Sequence, residues 1–353
     1  MKILELITGG EPGGAQRHVA ELSGFLVYQG HQVIVAHGGG RWLANQLNKQ
    51  IQVIYLEHLK RAPGIGTDIA AYRQVRDVLS QVKPDVVHCH SSKAGLIGRQ
   101  AAWQAQVPSV YTAHGYVFVD PTRPWVQRKF YRYAEIWGVR HSQATIVLSQ
   151  RDFREAQAMA PSVPIYHIPN GVVPAPILAG ITRDIPRIGF MGRFSREKGL
   201  DWLIPLAERH PEWQWIFAGD GDLRELVFKS ASRSSHIVWD GWVEEVGPWF
   251  QSIDVLVQPS WKEGMPYTII DAMAHCVPVV ATRVGAMSEI VEAVDNGLLV
   301  NPGDSSGLLS AIGYALDHHE RLGVSSHHYV SRHLNRDIQL AKVAEVLQSV
   351  VGS

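Results

Sequence analysis

Two α/β domains in tandem, each a parallel sheet with covering helices, are what this sequence predicts. Three observations carry that expectation. The chain has 353 residues, beyond the size at which one hydrophobic core usually stops growing. Short runs of branched apolar residues alternate with longer segments of helical period, the order that builds parallel sheets. Around Asn170 the texture changes to Asn-Gly followed by Pro174, Pro176 and Pro186, which reads as a connection between domains.

In the first half the expected strands are 3–7, 32–36, 53–56, 85–88, 109–112 and 145–148. The run at 1–7 ends in a glycine-rich turn and lacks the apolar core and cleavage site of a secretory signal, so it is read as the first strand. In the second half the expected strands are 187–191, 214–218, 237–239, 255–258, 277–281 and 297–300. The segment 337–350 has apolar residues at helical spacing. The expected limits are thus 1–170, 171–336 and a closing helix, 337–353, that packs back across the domains.

Charge and composition narrow the function. Lys plus Arg and Asp plus Glu both number 33, which argues against a protein that coats nucleic acid. The two cysteines, Cys89 and Cys276, are far apart, so no disulfide framework is expected and a reducing, cytoplasmic compartment fits. No stretch approaches the roughly 20 apolar residues of a spanning helix, so a membrane would be met only peripherally.

Gly9, Gly10, Gly13 and Gly14 lie between the first strand and a segment of helical period. They either let backbone amides approach a phosphate or sugar at a helix N-terminus, or only make a tight turn. The second strand ends in His37-Gly38-Gly39-Gly40, without the acidic residue that a dinucleotide site would place there. At 189–199 a strand runs into a loop carrying Arg193 and Lys198, cations suited to a diphosphate leaving group, or else surface charges beside a helix start. At 259–271 a strand end, a turn through Gly264, Met265 and Pro266, and a helix carry Glu263 and Asp271. The turn offers free amides at a helix start, and the two carboxylates are separated acceptors for hydroxyls of one extended ligand; alternatively Glu263 balances a helix dipole and Asp271 is an exposed helix residue.

His88 and His90, with Ser91, Ser92 and Lys93 after them, suggest either a metal site or polar contacts to a second substrate. No third ligand is visible nearby in sequence, and no metal is expected. From 123 to 140 the chain carries Arg123, Arg128, Lys129, Arg132 and Arg140 against Glu135, with Trp125, Phe130, Tyr131, Tyr133 and Trp137 between them. Val126, Phe130, Tyr133 and Trp137 share one helical face. Either that stripe packs into the core, or it meets an anionic membrane surface or a lipid diphosphate.

Taken in order, six segments resemble glycosyltransferase family four, a retaining family with the GT-B fold of two Rossmann-like domains facing a central cleft. They are Gly13 to His18, Thr112-Ala113-His114-Gly115, Ile168 to Val172, Gly192 to Gly199, Ala218-Gly219-Asp220-Gly221 and Glu263 to Asp271. The resemblance implies that Arg193 and Lys198 hold the donor diphosphate, Glu263 contacts the transferred sugar and His114 lies against it. It implies donor binding by Gly13, Gly14, Gly192, Gly219, Gly221, Gly264, Met265, Pro266 and Asp271, with Asp271 at the ribose.

On the acceptor side the segment with His90 and Lys93 resembles family members that build bacterial surface polysaccharides, and the basic residues Arg128, Lys129 and Arg132 of 123–140 are candidates from their own composition. The implied reaction moves a sugar with retention from a nucleotide-sugar, expected as a UDP-sugar, with no metal or cofactor. A phosphate oxygen takes the acceptor's proton, so no side chain need be a strong base. The implied acceptor is a saccharide, expected to be lipid-linked, in cell-surface polysaccharide synthesis at the inner face of the cytoplasmic membrane. Competing expectations are an epimerase or phosphorylase of the same fold, and a non-catalytic nucleotide-sugar-binding protein. Two positions depart from the family pattern: Asp271 replaces a glutamate, and Cys276 replaces a glycine, where a side chain is expected to need a different backbone conformation.

Overall fold

The computed structural model describes residues 1–120, 123–177, 183–292 and 297–352. By its internal contacts the chain divides into two compact units, Met1–Asn170 with Asp337–Ser353, and Gly171–Arg336.

The first unit runs β1 (Lys2–Ile7), α1 (Gly14–Tyr28), β2 (Gln32–His37), α2 (Trp42–Gln46), β3 (Gln52–Tyr55), α3 (Ile65–Val82), β4 (Val86–His90), α4 (Ser92–Gln104), β5 (Ser109–Ala113), α5 (Trp125–Arg140), β6 (Ala144–Val147), α6 (Gln150–Met159) and β7 (Ile165–His167). Its seven strands pair in the order β3-β2-β1-β4-β5-β6-β7, every pairing parallel. The central strands are buried on both faces, which is why they read as unbroken apolar runs. Side chains alternate between two cores. Leu4, Leu6, Val87 and Cys89 face one; Ile3, Ile7, Val86 and Val110 face the other. By the same period, Glu5, His88 and His90 stand on the second face.

The second unit runs β8 (Arg187–Met191), α7 (Leu200–Ala207), β9 (Gln214–Ala218), α8 (Arg224–Arg233), β10 (Ile237–Gly241), α9 (Val246–Gln251), β11 (Val255–Gln258), α10 (Tyr267–Ala274), β12 (Val279–Thr282), α11 (Met287–Val291), β13 (Gly297–Val300), α12 (Ser305–Asp317) and α13 (His319–His333). Its six strands pair in parallel, in the order β10-β9-β8-β11-β12-β13. The last helix, α14 (Arg336–Ser349), packs Leu340, Val343, Val346 and Leu347 into the core that also holds Ile3, Val33 and Val35.

The α/β expectation holds in both halves, and each expected strand is present within two residues at either end. One strand, β7, was not foreseen; three residues are too short for a periodicity. Both sheets reverse their winding once, between β1 and β4 and between β8 and β11. Such a reversal opens a crevice beyond the carboxyl ends of the strands, where open α/β sheets bind ligands.

Candidate active site

The crevice of the second sheet collects most of the charged residues foreseen there. After β11, the turn at 259–266 places Glu263 with 9 % of its surface exposed. A carboxylate so buried needs partners. Lys198, which ends a short 3-10 turn after β8, approaches both carboxylate oxygens at 2.7 Å. Ser260 Oγ donates to Oε1 at 2.7 Å and Gln258 Nε2 at 3.3 Å. The two residues assigned separately from sequence, 65 positions apart, are thus one hydrogen-bonded ion pair. They meet because β8 and β11 are neighbours.

Gly199 makes the approach possible. Its φ is +77° and an added Cβ would overlap the Pro259 carbonyl, so the Lys198 loop lies directly on the Glu263 turn. Gly192 follows β8, and Gly219 and Gly221 follow β9. Gly219 has φ +136° and a Cβ there would overlap the Gly192 carbonyl, so the two loops stack. Arg193 is exposed beside them.

Pro266 caps α10 with an extended backbone, Met265 is buried before it, and Asp271 in its second turn is 6 % exposed. Asp271 is therefore not the exposed helix residue of the alternative reading. Cys276 corrects another expectation. Val277 N donates to Ala272 O at 2.9 Å and Cys276 N to Met273 O at 3.2 Å, a helix-ending pair whose penultimate residue is usually a left-handed glycine. Cys276 adopts that conformation, φ +59°, so the backbone is kept and the cysteine carries the strain.

In the first sheet the crevice holds a group that sequence reading found only in part. Glu5 of β1 meets both histidines of β4: His90 Nε2 lies 2.7 Å and His88 Nδ1 3.1 Å from Glu5 Oε2. His88 Nε2 lies 2.7 Å from Thr112 Oγ1, and His90 Nδ1 lies 3.0 Å from His114 Nε2. His18 of α1 packs its ring 5.2 Å from that of His114, and its buried Nε2 has no hydrogen bond among the described residues. Glu5, His88 and His90 bring ligand-type atoms within 4.8 Å of one another, yet each of those atoms already has a protein partner. The third group absent from the local sequence is Glu5, 83 residues from His88. A single carboxylate inside an apolar strand was the available signal. Burial holds the imidazoles of His18, His90 and His114 well below the ordinary value, with neighbouring histidines adding to the effect. Cys89 is no nucleophile, because burial pushes its thiol up to about 12.

The acceptor-side residues divide. His90 is fully buried with both nitrogens engaged, so it cannot touch a substrate. Lys93 Nζ donates to the Ala62 carbonyl at 2.6 Å and to Asp68 at 2.7 Å, which ties α4 to α3 and neutralises its charge. Arg128 Nε donates to the Phe118 carbonyl at 2.9 Å, and Arg132 pairs with Glu155 at 2.8 Å. Lys129 is exposed, its ammonium 4.9 Å from the centre of the Trp125 ring.

The core reading of the α5 stripe fails at three of its four positions: Val126, Phe130 and Tyr133 are 58–70 % exposed, as is Trp125 beside them, while Trp137 is half-buried against the His141 ring. The helix packs by its other side, where Glu135 meets the fully buried Arg99 at 2.9 Å. Arg99 stacks 4.0 Å over Tyr111.

In the N-terminal glycine loop, Gly10 N donates to the Gly39 carbonyl, and a Cβ on Gly10 would lie 2.8 Å from Gly40 O. Gly10 thus serves packing against 39–40, while the Gly9 carbonyl accepts from Gln16 Nε2 at 2.9 Å. Gly13 is extended, φ 174°, and Gly14 opens α1.

Comparison with known proteins agrees with this geometry. Residues 12–175 match Glycosyltransferase Family 4, and residues 185–318 match Glycosyl transferases group 1. The chain is 25 % identical over 295 residues to the UDP-Gal:alpha-D-GlcNAc-diphosphoundecaprenol alpha-1,3-galactosyltransferase of Escherichia coli, covering 76 % of each chain. It is 26 % identical to the phosphatidyl-myo-inositol mannosyltransferase of Mycolicibacterium smegmatis, over 97 % of this chain and 92 % of that one. Among solved structures, Anabaena HepE in complex with UDP superposes with a TM-score of 0.80 at 21 % identity, covering 99 % of this chain and 100 % of that one. Two parallel Rossmann-like sheets, a cation and carboxylate joined at a switch point, and family matches in both halves lead to one conclusion: the chain is a glycosyltransferase of the GT-B class, with a family-four first half and a group-one second half.

Proposed function

We propose that the protein transfers a sugar, with retention, from a UDP-sugar to a lipid-linked saccharide in surface polysaccharide synthesis, without a metal ion. The observation that carries this reading is the Lys198–Glu263 pair at the crevice of the second sheet. An ammonium held by a carboxylate is ready to exchange that partner for a diphosphate oxygen, which frees the carboxylate to accept from sugar hydroxyls. Charge growing on the departing diphosphate is then met by Lys198 and by the exposed Arg193, an electrostatic contribution that needs no proton transfer to a side chain. Gly192 leaves backbone open where the phosphates would approach, Gly219 and Gly221 let the next loop pack directly beside it, and the 264–266 turn offers amides at the start of α10. Asp271 is the proposed ribose contact, one methylene shorter than the family glutamate. His114 is the proposed contact to the transferred sugar.

The uridine base is supported by the name of the Escherichia coli relative and by the UDP complex of HepE. The lipid-linked acceptor is supported by that relative and by the mycobacterial phosphatidylinositol enzyme, both named for lipid acceptors. It is also supported by α5. Its exposed Trp125, Val126, Phe130 and Tyr133, interleaved with Lys129 and Arg140, form a face that suits an anionic membrane surface. No described helix is long and apolar enough to cross a membrane.

The test incubates the protein with a panel of nucleotide sugars and a chelator, and measures nucleoside diphosphate release with and without bacterial membrane lipid extract. Release that survives chelation, needs one UDP-sugar and rises with the lipid fraction is expected; the anomeric coupling of the product reports retention. Donor binding by calorimetry with no release under either condition would replace the transferase with a binding protein. Trp125→Ser/Phe130→Ser is expected to abolish sedimentation with phosphatidylglycerol vesicles, and unchanged sedimentation would remove α5 from the membrane reading.

A further inference from the structure

The buried group in the first sheet has a direction. A carboxylate can only accept hydrogen bonds, so Glu5 requires a proton on each nitrogen that faces it, His88 Nδ1 and His90 Nε2. A neutral imidazole carries one proton, and burial keeps His90 neutral. His90 Nδ1 is therefore bare and accepts from the atom 3.0 Å away, His114 Nε2. His88 Nε2 lies 2.7 Å from the Thr112 hydroxyl, which can donate or accept, so that branch ends in a side chain able to satisfy either role. The His90 branch ends in His114, neutral for the same reason as His90. With its proton on Nε2, His114 has a lone pair on Nδ1. No hydrogen bond engages Nδ1 among the described residues, and His114, unlike His88 and His90, is partly exposed. His18 packs edge-on against it, at an interplanar angle of 71°, and fixes the ring plane.

We propose that Glu5 and His90 are positioning residues that set His114 in its Nε2–H tautomer, so that His114 Nδ1 accepts a hydrogen bond from a hydroxyl of the transferred sugar. The substrate half of this inference rests on the transferase reading; the tautomer half rests on the three side chains alone. Neither Glu5 nor His90 touches substrate, since both are fully buried. Their effect is on which end of the His114 imidazole is an acceptor, a choice that would otherwise be shared between two tautomers of similar energy.

Two variants separate this from a packing role. Phenylalanine at position 90 keeps the ring's shape and removes both nitrogens. Glutamine keeps an N–H for Glu5 and an oxygen for His114. Long-range proton–nitrogen correlation spectra of the full-length labelled protein report the tautomer, with the His114 signals identified by their loss in His114→Asn. We expect a protonated Nε2 and a bare Nδ1 in the wild type and in His90→Gln, and an averaged pair in His90→Phe. Where a donor supports turnover, His90→Phe should lower kcat about tenfold with KM for the donor nearly unchanged, the scale of one lost orienting hydrogen bond, and His90→Gln should recover most of it. A wild-type His114 that is averaged or protonated on Nδ1 overturns the proposal. So does a His90→Phe enzyme at least as active as His90→Gln, the order that space-filling alone predicts. If His90→Phe does not fold, the wild-type and His90→Gln spectra still decide the tautomer. A wild type that turns over no donor sinks the transferase reading, and the spectra then decide the relay separately.

Discussion

Replacing Glu263 by glutamine asks whether the Lys198–Glu263 contact is a held charge pair or an incidental one. Both carboxylate oxygens lie 2.7 Å from the ammonium. In Glu263→Gln one of them becomes an amide that donates toward a group that also only donates, and the opposing charge is gone. Removing one member of a buried pair costs about 3–5 kcal/mol. The Lys198 side chain keeps 21 % exposure against 4 % for Glu263, so water recovers part of that, and a loss of about 2–3 kcal/mol is expected. At a urea dependence of about 2 kcal/mol/M the unfolding midpoint falls by about 1 M. Tryptophan fluorescence suits the measurement, because Trp202, Trp213, Trp215, Trp239, Trp242, Trp249 and Trp261 lie in the second unit, out of 11 in the chain. Lys198→Met combined with Glu263→Gln removes the stranded ammonium and should restore part of the loss, giving a coupling of about 1–2 kcal/mol in the double-mutant cycle. A coupling below about 0.5 kcal/mol would refute the argument that Glu263 holds Lys198.

Acid should destabilise the first unit. His18, His90 and His114 are held by burial well below the imidazole value, so below about pH 6.5 the unfolded chain binds protons that the folded chain does not. Stability is then full above that pH and declines as pH falls, by about 1.4 kcal/mol per pH unit for each such proton; circular dichroism melts that stay level down to about pH 5 would contradict it. Cys276→Gly should raise stability by about 1 kcal/mol, since it releases a left-handed non-glycine residue, and a lowered thermal midpoint would show that the thiol's packing matters more. Gly138→Ala should cost about 2–3 kcal/mol, because the new methyl would overlap the guanidinium of Arg99 and disturb its buried pair with Glu135; an unchanged urea midpoint would mean that Arg99 can yield.

Much of the fold could be read in advance because strands buried on both faces declare themselves as apolar runs and the breaks between them are glycine loops. The site was legible as parts and not as pairs. Lys198 and Glu263 each carried a signal, but their contact depends on β8 lying beside β11, which no local pattern encodes. Glu5 stood in plain view as one carboxylate within an apolar strand, and only the pairing of β1 with β4 shows that it organises two histidines. Periodicity found the aromatic stripe on α5 yet could not say which side of the helix is covered. The buried Arg99–Glu135 pair settles that, and it draws on residues 36 positions apart.

The placement of α14 has a consequence for how the chain is made. Leu340, Val343 and Leu347 share a core with Ile3, Val33 and Val35, so the first unit draws its last piece from the far end of the sequence. The second unit is contiguous. During synthesis it can close on itself as soon as it emerges, while the earlier-made unit waits with an apolar face uncovered until α14 leaves the ribosome. The unit begun earlier is thus completed later than the second, and in that interval its apolar face is open to solvent.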